Sequence, residues 1–157
     1  MNLGSIAEDY FLLQLKLKNI GNDFFALKVD DAVNPLWDIV SFENIGGTYV
    51  KKTYQVKEVD FSTKNKAVNG RFDDYINNGV DYLVLVIFNS GKNQKDAPVI
   101  FKIPFANVKK KAANGSTALI QGNDLYYSNS GKTMSLNFTL FSSKNAPVMS
   151  SYYFFNN

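Results

Sequence analysis

Apolar positions near the start of the chain recur every three to four residues. Over 5–20, SIAEDYFLLQLKLKNI, the residues Ile6, Tyr10, Leu13, Leu17 and Ile20 hold a helical period and predict an amphipathic helix with that stripe toward the core. Ser5 is the expected cap, Glu8 three positions on completes a capping box, and Gly21 stops the helix. The pattern then changes to alternation. Strands are expected over 23–30 (DFFALKVD) and 36–43 (LWDIVSFE), separated by a turn through Asp30, Asp31, Asn34 and Pro35. Gly46-Gly47 marks a tight hairpin into 48–60, TYVKKTYQVKEVD.

The polar piece 62–79 reads as a loop with a short helix. After it, VDYLVLVIFN (80–89) is the most apolar run and predicts a buried central strand, and PVIFKIP (98–104) a second one. A short basic helix is expected over 105–113, FANVKKKAA. Beyond Asn114, strand-like runs appear at ALIQ, DLYY, SLNFTLF and SSYYFF between Gly, Asn and Ser turns. With no internal repeat and no linker, the pattern gives one α+β domain over 1–157, a helix first and a mixed sheet behind it.

Composition narrows the chemistry. Aromatic residues make up 15% of the chain, with 13 Phe and 9 Tyr, which suits strands. No Cys and no His are present, so disulfides, thiolate sites, imidazole-bound zinc and His-based triads are excluded. Any catalysis runs on carboxylates, amides, lysines or a hard metal ion. No apolar run is long enough to span a bilayer and the N-terminus lacks the basic leader of a signal peptide, so a cytoplasmic protein is expected. The net charge of +3 is uneven: 1–96 carries −2 and 97–157 carries +5, a division compatible with a polyanionic partner or with a solvated basic surface.

One constellation has chemical content. On a strand, Gln55 and Lys57 point one way while Tyr54, Val56 and Glu58 point the other. Asp38, between Trp37 and Ile39, sits in an apolar strand where a carboxylate needs a partner. Pairing of the two strands through the Gly46-Gly47 hairpin brings Asp38 near Gln55 and Lys57. Mg²⁺ or Mn²⁺ prefers oxygen ligands, and Asp38, the Gln55 carboxamide oxygen and the Val56 carbonyl would supply them. Asp30 or Asp31 is an alternative ligand to Asp38. Lys57 beside the metal would orient or deprotonate a water, or offset charge on a phosphate.

In these residues the chain resembles the PD-(D/E)XK nuclease superfamily, in its Holliday-junction-resolvase-like and Mrr-like branches that carry Gln-x-Lys. The matching positions are Asp38 in LWDIV, Gln55-Val56-Lys57 in YQVKEV, and Glu8 in the first helix as the outer acid. The resemblance covers about 3–111 as an order of elements, with 112–157 as a β-rich extension. It implies a restriction-endonuclease-like core, a metal-dependent DNA endonuclease, DNA as partner and a homodimer. Lys51, Lys52, Arg71, Lys109, Lys110 and Lys111 are the candidate phosphate contacts. The lysines also have a plainer explanation, Lys51 and Lys52 as edge-strand lysines and Lys109–Lys111 as helix C-terminal charges, and so does Glu8 as a cap. The aromatic tail (Tyr126, Tyr127, Tyr152, Tyr153, Phe154, Phe155) reads as a sheet face or dimer contact, with stacking on bases the alternative. Two other functions are compatible with the sequence, a catalytically silent nucleic-acid or protein binder on the same scaffold, and an unrelated β-rich interaction protein.

Overall fold

The computed structural model describes residues 2–63, 66–91, 96–115 and 118–156; parts of the expected turns at 64–65 and 92–95 lie outside these. Helix α1 (Leu3–Lys18) begins one turn earlier than its apolar period suggests. Asn2 is the cap, its side chain accepting from the Ser5 backbone N–H at 3.2 Å, so Ser5 lies inside the helix and there is no Ser5–Glu8 capping box. Lys16 and Lys18 in the last turn complement the negative end of the helix dipole.

The buried face of α1 also differs from the expected one. Ala7, Phe11 and Leu15, spaced by four, are buried, whereas Leu13, Leu17 and Ile20 are 52%, 49% and 76% exposed. The helix carries two adjacent apolar stripes. Phe11 decides between them, since its ring packs against Tyr54 and Phe154 with centroids 5.4 and 5.5 Å away.

Five strands form the main sheet: β1 (Phe24–Lys28), β2 (Ile39–Ile45), β3 (Thr48–Asp60), β5 (Tyr82–Phe88) and β6 (Val99–Pro104). Their order is β1-β2-β3-β5-β6, all neighbours antiparallel except β3 and β5, which run parallel. The hairpin between β2 and β3 turns on Gly46 and Gly47 at φ 62° and 90°, values that side chains beyond glycine adopt only with strain. Between β3 and β5 the chain makes β4 (Ala67–Asn69) and α2 (Phe72–Asn77). The short basic helix expected at 105–113 is instead a 3-10 turn (Phe105–Asn107) followed by strand β7 (Val108–Lys110). Val108 is buried there and pairs with Leu125, so sheet pairing overrides the helical reading of a short segment.

The tail adds β8 (Ile120–Gln121) and β9 (Asp124–Tyr127), which join β7, and β10 (Thr133–Ser135), which pairs with β4. In SLNFTLF, Ser135 closes β10 and Asn137–Phe141 form a 3-10 turn rather than a strand, and SSYYFF ends helix α3 (Ala146–Ser151) before another 3-10 turn at Phe154–Asn156. The result is an α+β fold with a strand-rich C-terminus.

The main sheet is covered on both faces. One face packs Leu83, Leu85, Ile87 and Ile103 against α2, β9, β10 and the tail; the other packs Tyr54, Val56, Val84 and Ile100 against α1. Tyr127 and Tyr152 are buried in the first core and Phe154 in the second, so these three tail aromatics are core residues and form no outward contact surface. Among the described residues no helix is long and apolar enough to cross a membrane.

Candidate functional site

Asp38 lies at the head of β2, where the ladder with β3 stops. Its backbone is clamped on both sides, the N–H donating to the Tyr54 carbonyl at 2.9 Å and the C=O accepting from Val29 N–H at 2.8 Å. The side chain then continues the ladder in place of a backbone carbonyl. Asp38 Oδ2 accepts from Val56 N–H and from Gln55 Nε2, both at 2.8 Å. A residue in a strand projects its N–H and C=O to the same side, so the Val56 carbonyl also faces the head of β2. Asp38 is 7% exposed and Gln55 5% exposed.

Strand parity sets the rest. Gln55, Lys57 and Val59 share one face of β3, and Val59 packs in the α2-side core. The Lys57 ammonium lies 5.7 Å from the centre of the Tyr75 ring, and among the described residues it has no carboxylate within 4.0 Å. Gly70 makes room for this packing: a Cβ there would sit 3.2 Å from both Lys57 Cε and the Tyr75 ring. No signal in the sequence singled out Tyr75 or Gly70, because their part in the site comes from α2 folding back beside β3.

Glu8 reaches the same place from the second turn of α1. Burial, helped by the neighbouring Asp38 charge and a hydrogen bond shared with it, pushes the Glu8 carboxyl up to about 7. Burial also raises Asp38, against the opposing pull of the Val56 N–H and the Lys57 charge. Below about pH 7 the proton of this pair therefore rests on Glu8. Lys28 stands on the outer side, 3.7 Å from Glu8 and 3.1 Å from Asp9.

Glu8, Asp38, Gln55, Val56 and Lys57 line a cleft of about 400 Å³ together with Asp31, Arg71 and Tyr75. Asp31 is the nearer of the two alternative acids: it lines the cleft and its charge acts on both Glu8 and Asp38. Asp30 instead builds the turn, accepting from the Ala32 N–H at 2.8 Å. Arg71 is exposed and paired with Asp74 at 2.8 Å. Lys51, Lys52 and Lys109–Lys111 do not line this cleft. Lys51 sits about 20 Å from Lys57 along β3, its ammonium 5.2 Å from the Trp37 ring. Lys52 points to the opposite, α1-side face, over Tyr82. Lys109 and Lys110 lie on β7 and not at a helix end, and Lys110 is paired with Asp73 at 3.1 Å.

Among the described residues no three acidic side chains cluster closely enough to hold a metal by themselves. The donors that do meet are one carboxylate pair and one carboxamide. Gln55 Oε1 is buried with no hydrogen-bond partner, a costly state for an amide oxygen. Two acids sharing a proton beside an orphaned oxygen form a donor set that fits a small hard cation, which would displace the proton and satisfy the amide. The fit requires the carboxamide to turn over, since its nitrogen now faces Asp38. Compared with protein-family models, with curated proteins and with solved structures, the chain matches none of them.

Proposed function

We propose that this protein is a divalent-metal-dependent nuclease of the PD-(D/E)XK kind that hydrolyses DNA phosphodiester bonds. Its main support is the meeting of Asp38 and Gln55 at 2.8 Å in a buried strand head, with Glu8 against Asp38 and Lys57 on the same strand face as Gln55. The order of an acid-bearing helix, a β-hairpin with Asp at its entry and Gln-Val-Lys on its second strand, and a parallel strand beside it agrees with the resemblance.

Asp38, Gln55 and the Val56 carbonyl would hold Mg²⁺ or Mn²⁺, with Glu8 as the outer acid. A bound ion of this kind polarises a phosphoryl oxygen and makes a coordinated water more acidic. The chain's own groups do the remaining work. Lys57, with no carboxylate within 4.0 Å among the described residues, is placed to donate to a phosphate oxygen or to steer the attacking water. Tyr75 and Gly70 fix the direction of its stem, and Arg71 on the rim offers a second cation to the DNA backbone.

The test is incubation of linear, plasmid and branched DNA with Mg²⁺ or Mn²⁺ against EDTA. Cleavage is expected with metal only, and Lys57→Ala is expected to abolish it while leaving the melting temperature and DNA binding nearly unchanged. Equal cleavage by Lys57→Ala contradicts the mechanism. A catalytically silent DNA binder is the second reading, favoured by the neutral carboxamide at position 55 where a carboxylate would bind metal more tightly. Salt-sensitive DNA binding without cleavage under any metal would select it.

A further inference from the structure

On the α1 side of the sheet, away from the carboxylate cleft, three lysines converge from distant parts of the chain. Lys102 on β6 is central. Its ammonium lies 4.8 Å from the centre of the Tyr82 ring and 6.0 Å from that of Phe154. Lys52 on β3 shares the Tyr82 ring at 5.9 Å, and Lys18 at the end of α1 shares the Phe154 ring at 4.3 Å. The three ammoniums edge a recess of about 300 Å³ whose floor is the buried Ser41–Tyr54 hydroxyl pair, hydrogen-bonded at 2.9 Å. Glu43 is the acid in its lining, and it makes no ion pair within 4.0 Å of any of them.

That arrangement is unbalanced. An ammonium has three protons to donate, and among the described residues Lys102 has neither a hydrogen-bond acceptor nor a carboxylate at its head, only aromatic faces. Burial and the neighbouring charges of Lys18 and Lys52 hold its pKa below the ordinary lysine value. Aromatic faces attract a cation, but they do not separate it from two others. An anion in the recess would do so, and would also meet the Ser41 and Tyr54 hydroxyls.

We infer that this recess is a binding site for a phosphomonoester dianion, held by Lys18, Lys52 and Lys102. Two charges match an excess of three ammoniums over one carboxylate. The aromatic side chains of Phe24, Tyr54 and Phe154 in its lining suit a ligand whose phosphate is attached to a ring system. The site is independent of the proposed nuclease centre, because Lys52 and Tyr54 lie on the face of β3 opposite Gln55 and Lys57.

The experiment is calorimetric titration of the whole chain with inorganic phosphate and with a nucleoside 5′-monophosphate, in EDTA and at constant ionic strength, so that no divalent ion bridges the phosphate to the carboxylate cleft. Saturable binding is expected with a Kd below about 1 mM, weakened by at least about tenfold in Lys102→Gln and in Lys52→Gln. Lys144→Gln, at an exposed lysine that lines neither site, should bind as the wild type does. A 5′-phosphorylated oligonucleotide set against its 5′-hydroxyl counterpart separates a nucleic-acid end from a free small molecule as the source of the phosphate. Absence of saturable heat at millimolar phosphate, or unchanged binding in both lysine variants, overturns the assignment. Circular dichroism of both variants shows that any loss comes from the recess and not from unfolding.

Discussion

At the scale of single residues, the Glu8–Asp38 pair gives the metal-free protein a definite pH response. Burial and the Asp38 charge lift Glu8 from 4.5 to about 7. An acid whose folded value lies above its unfolded one binds the extra proton in the folded state. Its stabilisation is therefore complete below about pH 4.5 and is lost as pH rises through about 7. Urea unfolding in EDTA should show about 1–3 kcal/mol less stability at pH 8 than at pH 5 from this group, and Glu8→Gln should flatten the difference. A wild-type profile that rises over the same interval would contradict the proton-sharing pair. Much of this site was legible beforehand: the parity of β3 put Gln55 and Lys57 on one face, and an acid in an apolar strand pointed to Asp38. The engagement of the Val56 N–H by Asp38 was not legible, because it depends on where the ladder ends. Nor was the lysine recess, since Lys18, Lys52 and Lys102 are brought together only by the assembled sheet and helix.

At the scale of elements, the local signals succeeded where turn chemistry or a long apolar run dictated the outcome. Gly46-Gly47 between two alternating segments fixed the hairpin, and β5 followed from a run that only a sheet interior could bury. They failed where two arrangements had similar local merit. Helix α1 presents two apolar stripes, and only the facing Tyr54 and Phe154 select Ala7, Phe11 and Leu15. Truncation distinguishes the stripes: Phe11→Ala should cost about 3–5 kcal/mol, while Leu13→Ala should stay within about 0.5 kcal/mol, both read from urea midpoints. Comparable losses would mean that the helix is rotated from its described position. Residues 108–110 fall inside the short basic helix expected over 105–113, yet they form a strand whose partner β9 lies too far along the chain for any local pattern to reveal it.

At the scale of the whole molecule, the C-terminal extension is part of both cores. Met149 packs on the α2 side and Phe154 on the α1 side, and the Lys102 N–H donates to the Tyr152 carbonyl at 2.9 Å, tying the last residues to β6. Removal of 146–157 should therefore abolish cooperative thermal unfolding, since it opens cavities on two faces of the sheet at once. A truncated chain that still melts in one sharp transition would show the tail to be an accessory. With the tail in place, the same sheet carries a carboxylate–carboxamide cleft at the head of β2 and a lysine recess on its α1 side. The measurement that goes most directly to the proposed metal centre is calorimetric titration of Mn²⁺ into the wild type, Asp38→Asn and Lys57→Ala at pH 8. The expected result is one saturable site in the wild type, retained in Lys57→Ala and lost in Asp38→Asn; no Mn²⁺ uptake by the wild type, or uptake unaffected by Asp38→Asn, would contradict it.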